Sequence, residues 1–93
     1  MNLEQLQQEL KIIGPADWWG CIMDALFECA GHMLDRNLPI PANWKYHPPM
    51  GPATDKDNYF YDLFMQTSNE DLVEIGNYLF IVSEALERAE LSY

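Results

Sequence analysis

Basic residues are scarce in this chain. Five Lys and Arg stand against 15 Asp and Glu over 93 residues, a formal net charge of -10. A surface so lopsided repels phosphate backbones and anionic bilayers, which excludes direct binding to DNA, RNA or an acidic membrane. Cysteine is nearly absent too. Cys21 and Cys29 lie eight residues apart in one helical pattern, about 12 Å along the axis, beyond the reach of a disulfide. Both read as buried or semi-buried thiols of a reducing compartment, so the expected location is cytoplasmic. There is no apolar run of the ~18–20 residues that a membrane span needs. Residues 1–10 are acidic and Gln-rich, which is no signal peptide. Gly-rich phosphate loops and metal-spaced His/Cys clusters are also missing.

What the chain does have is apolar mass, 48% hydrophobic and 13% aromatic residues. That is too much for a disordered acidic tail, and the length suits a single domain. The periodicity is helical throughout. Residues 2–13 carry Leu3, Leu6, Leu10 and Ile13 at helical spacing, capped by Asn2 and ended by Gly14-Pro15. A second helix is expected over 16–36. Pro15 and Asp17 suit its start, and Asn37 with the following prolines stops it. A third, over 57–66, puts Phe60, Leu63 and Phe64 on one face, with Thr54 and Asp57 as its start signal. The fourth, over 69–90, is capped by Ser68 or Asn69 and carries the stripe Leu72, Ile75, Leu79, Val82 and Leu86. The fold class is therefore all-α, a bundle of about four helices.

Between the second and third helices lies the segment 38–56, which holds five of the six prolines. No regular element persists through that density of proline. Structureless connections of this length are uncommon inside a compact domain, and this one carries Trp44 and Tyr46. It is expected to be ordered against the helices. Its aromatics then either pack the loop onto the core or serve as exposed anchors of a protein interface.

Charge is segregated. On the second helix Asp17, Cys21, Asp24, Glu28, His32 and Asp35 share an arc of roughly 80°, facing a wide apolar arc that includes Trp18, Trp19, Met23, Phe27 and Leu34. This predicts a central helix with an acidic ridge left to solvent. His32, flanked by Glu28 and Asp35, is expected to be partly exposed and held in its charged form. The fourth helix carries Glu70, Asp71 and Glu74 at its start and Glu84, Glu87 and Glu90 at its finish. The last of these oppose the helix dipole and so contribute nothing to local stability. Residues 36–54 contain no acid at all. Gly20, Gly31 and Gly76 interrupt helical patterns at about 1 kcal/mol each. Close helix crossing explains them most simply, with Gly76 facing a bulky side chain such as Trp18 or Trp19.

Chemistry finds little footing. Cys29 and His32 are three apart, but they diverge by roughly 60° and lack further ligands for a metal. No nucleophile pair has an oxyanion site. The chain is expected to be no enzyme and to hold no metal or cofactor. In size and charge alone it is similar to phage and plasmid anti-defence proteins, anti-CRISPR proteins among them, and no motif carries that likeness.

Three functions are weighed. The first is an inhibitor whose carboxylates imitate phosphates and occupy the groove of a basic nucleic-acid-binding effector. The second is an antitoxin or immunity-type protein that blocks a basic toxin through an acidic and aromatic patch. The third is a structural or regulatory helical module, monomeric or weakly homodimeric through Ile81 and Ala85. The partner-binding candidates are Asp17, Asp24, Glu28, Asp35, Glu70, Asp71, Glu74, Glu84, Glu87 and Glu90, with Trp44 and Tyr46. Acidity that serves solubility alone is the plainest alternative.

Overall fold

The structure, a computed structural model, describes residues 3–13, 15–42, 44 and 55–88, and within these the side chains of all but 13, 15–17 and 55–57. Four helices account for most of them: α1 (Leu3–Ile13), α2 (Pro15–Asp35), α3 (Asp55–Met65) and α4 (Asn69–Arg88). No strand occurs among the described residues. The all-α expectation holds, with α3 starting at Asp55, two residues before the expected 57. Helix ends of this kind fray by a residue or two. No helix of the described residues is long and apolar enough to cross a membrane.

The apolar stripes meet in one core. Leu6 and Leu10 of α1, Ile22, Leu26 and Met33 of α2, Phe60 and Phe64 of α3, and Leu72, Ile75 and Leu79 of α4 all belong to it. Helix α2 is the hub, packing most extensively on α4 and α3. Its contacts fix the directions of its neighbours. Cys29 Sγ reaches Leu72 O at 3.3 Å, and Met23 Sδ lies 3.9 Å from Ser83 Oγ, so α2 and α4 are antiparallel. His32 meets Tyr61 and Phe64, and Arg36 meets the end of α3, so α2 and α3 run parallel. A parallel pair needs a long return, which the connection 36–54 provides.

Each helix end has a local cause. Trp18 Nε1 donates to Leu10 O at 2.6 Å, satisfying one of the carbonyls left open in the last turn of α1. Helix α2 ends in a Schellman turn: Leu38 N donates to Met33 O (2.8 Å) and Asn37 N to Leu34 O (3.0 Å). Asn37 takes the left-handed conformation that this turn requires, with φ 57°. Asparagine tolerates that region better than other non-glycine residues do. At the start of α4, Ser68 is the cap: its Oγ accepts from Asp71 N at 3.2 Å and its carbonyl from Leu72 N at 2.8 Å.

Candidate functional site

The carboxylates occupy two surfaces, and both are less simple than a helical wheel suggests. On α2 the buried arc is displaced relative to the sequence expectation. Cys21 is fully buried and His32 is only 3% exposed, so neither belongs to a solvent-facing ridge. Helix α3 is the reason. It runs alongside α2 and lays Tyr61 against the His32 ring at a centroid distance of 4.9 Å and Phe64 at 6.3 Å. On the other flank, Leu34 is expected to face the apolar side but is 51% exposed. Trp18, Trp19, Met23 and Phe27 are half-buried. Among the described side chains and glycines of α2, only Gly20, Leu34 and Asp35 are exposed, and Asp24 and Glu28, expected on the solvent ridge, are half-buried like Phe27. The outer edge of α2 is a mixed strip of acid and apolar groups in place of a purely acidic ridge.

His32 corrects a second expectation. Burial pushes its pKa below the ordinary histidine value, Arg36 pushes it down further, and Asp35 opposes both. Its Nε2 lies 3.9 Å from Glu28 Oε2, too far for a hydrogen bond, and is without a hydrogen-bond partner. The ring is therefore neutral near pH 7. The unfolded chain takes up a proton at about pH 6.5 before the folded chain does, so stability is complete above that value and falls as pH drops below it. Urea unfolding between about pH 7.5 and 5.5 should show that loss in the wild type. His32→Gln should flatten the slope across the same window, and an equal slope in both proteins would assign the effect to other groups.

On α4, Glu70 and Glu74 are exposed and Asp71 is half-exposed at the N-terminal end, where carboxylates complement the helix dipole. At the far end Glu84 is half-buried and Glu87 exposed, next to exposed Arg88. The side chain of Asp17, together with Tyr46 and Glu90, lies outside the described residues. Among the described residues, Asp35, Glu70, Asp71 and Glu74 form no ion pair. Arg36, the nearest cation in sequence to Asp35, is engaged elsewhere. Its Nη1 donates to Thr67 O (2.7 Å) and Asn69 Oδ1 (3.4 Å), and its Nη2 to Phe64 O (3.1 Å) and Met65 O (3.2 Å).

Trp44 is not an exposed anchor. It is 7% exposed and sits in the core cluster, with the outer edge of its ring directly over Gly76. Gly76 does face a tryptophan, but one from the connection and not Trp18 or Trp19 of α2. Gly20 differs: a Cβ added there would meet nothing within 4 Å. Both cysteines are buried free thiols, and burial pushes the Cys29 thiol up to about 12 against a smaller opposing effect of Arg36. Such a thiol is a packing group and a poor nucleophile. No group of three or more His, Cys, Asp or Glu side chains suited to a metal occurs among the described residues.

No protein-family model, curated protein or solved structure matches the chain.

Proposed function

We propose that this protein acts by binding: it is a small acidic helical domain that occupies the basic surface of a protein partner. A nucleic-acid-binding effector is the favoured partner class, with carboxylates standing where phosphates would stand. The observation that carries this reading is the pairing of charge with the use of Arg36. The chain has a net charge of -10, and Arg36, the cation next to Asp35 in sequence, donates to backbone carbonyls at and just beyond the α3 terminus. Asp35, Glu70 and Glu74 are exposed. Carboxylates so placed would steer a basic groove toward the molecule at low salt. The antitoxin or immunity-type reading asks for an aromatic anchor. With Trp44 in the core, that reading has less support.

The test is affinity capture of partners at low and at moderate salt, followed by competition. Captured proteins should release a labelled DNA or RNA duplex when this protein is added, and the competition should weaken steeply as salt rises. Asp24→Lys with Glu28→Lys should abolish it. Captured proteins that hold their nucleic acid unchanged would sink the mimicry reading.

A further inference from the structure

The outer face of α4 changes chemistry along its length. Glu74, Asn77, Ile81, Ala85 and Arg88 are all exposed and fall within an arc of roughly 80° around the helix axis. Ile81 is 62% exposed at the centre of that arc, on the side opposite buried Leu79. The lane is therefore acidic at one end, apolar in the middle and basic at the other end. Glu74 and Arg88 form no ion pair among the described residues, and about 21 Å of helix separates them from each other. The helix dipole accounts for the sign at each end. It gives no reason for a large apolar side chain held out between them, nor for Glu74 and Arg88 lying equally far from Ile81 along the helix.

We infer that this face is the contact with a second copy of the chain, whose α4 lies antiparallel along the first with Ile81 against Ile81 at a twofold axis. Residues equally far from Ile81 on opposite sides then meet. Asn77 faces Ala85 of the second copy, and the small alanine lets the helix axes approach to about 8 Å. Glu74 meets Arg88 of the second copy, twice by symmetry, each pair about 10.5 Å from the axis. The face is thus complementary in charge to itself. Parallel pairing would set Glu74 against Glu74 and Arg88 against Arg88. A uniformly basic helix would be repelled at Arg88, and an acidic one at Glu74. The net charge of -10 on each chain opposes association at long range, but physiological salt screens exposed charges beyond about 8 Å. The contact is small beside the ~1,200–2,000 Å² of stable complexes, so the dimer is weak and reversible. The inference is independent of the acidic-binder reading.

Sedimentation equilibrium at physiological salt is the test. The mean mass should rise from 10.8 kDa toward twice that value as the protein approaches about 1 mM. Ile81→Gln, at an exposed position outside the core, should weaken the dimer by roughly tenfold. Charge reversals test the register. Glu74→Arg and Arg88→Glu should each weaken self-association by roughly tenfold, the first even though it makes the chain less negative. Mixed in equal amounts, these two variants should associate with each other as the wild type does, because every Arg in the lane then faces a Glu of the other copy. Circular dichroism of each variant alone should match the wild type, since both positions are exposed. A mass of 10.8 kDa at every concentration would overturn the inference, and so would a dimer unaffected by Ile81→Gln. Tighter association of Glu74→Arg would leave general repulsion as the only charge effect and remove the ion pairs. A mixture that associates no better than its components would overturn the antiparallel register.

Discussion

Gly76→Ala should destabilise the protein by about 1–3 kcal/mol, although alanine is the better helix former by about 1 kcal/mol. The cause is local. A Cβ at this position would collide with Cζ2 and Cη2 of Trp44 and would crowd Cys29 Sγ at 3.1 Å. The ring is rigid and belongs to the core, so it has to move as a unit, and Trp44 follows a turn in which its amide donates to Pro41 O at 3.0 Å. Trp44→Ala should be more severe, about 3–5 kcal/mol, a large fraction of the ~5–15 kcal/mol typical of a domain. The two changes together are the informative case. Once the ring is gone, a Cβ at position 76 fills space that would otherwise be empty. Gly76→Ala should then become neutral or stabilising, and the coupling in a double-mutant cycle should reach about 2–3 kcal/mol. Urea midpoints of the four proteins decide it. Additive effects would mean that Trp44 does not sit on Gly76 in solution.

That contact also shows where sequence reading stops. The helices were legible because each has its own periodic stripe and punctuation: Gly14-Pro15, Asn37 with the prolines after it, and Ser68. The need for a bulky side chain opposite Gly76 was legible as well. Its identity was not, because Trp44 reaches α4 from a connection whose path no local periodicity encodes. The acidic arc of α2 failed in part for a related reason. Helical projection places Cys21 and His32 beside the carboxylates, but it cannot say that α3 will lie parallel to α2 and cover that edge. A helical wheel gives angles around one axis, and burial depends on where the neighbouring axes fall. Leu34 is the mirror case: an apolar residue in the apolar arc that no neighbouring helix covers. Gly20 was visible as an unfavourable helical residue, and only the open space around it separates it from Gly76.

Arg36→Ala should cost about 2–3 kcal/mol and should release the corner between α3 and α4. Helix α3 has no basic residue in its last turn, and its final carbonyls are shared among few donors. Thr67 Oγ1 and Gln66 N take Leu63 O, at 2.8 and 3.3 Å, and Thr67 N takes Phe64 O at 3.1 Å. The guanidinium of Arg36 supplies the rest from outside the helix, and it also brings a positive charge to the negative end of the α3 dipole. Alanine leaves these carbonyls, of which those of Phe64 and Thr67 are partly buried, without a charged donor. Lysine restores the charge but not the fork that serves Phe64 O, Met65 O and Thr67 O together, so Arg36→Lys should recover only the dipole component, about 0.3–1 kcal/mol. Two readouts separate this from a mere increase in net negative charge. General repulsion is screened by added salt, so a loss caused by repulsion would shrink in salt, whereas the loss of the cap should persist. His32 is the second. Arg36 is one of the groups that hold its pKa down, so removing the guanidinium should let the His32 titration seen by NMR move up in the folded protein. A variant with unchanged stability and an unchanged histidine titration would show that Arg36 does not cap α3. In that case the cation would be available to the neighbouring acids, and the case for an uncompensated acidic surface would weaken with it.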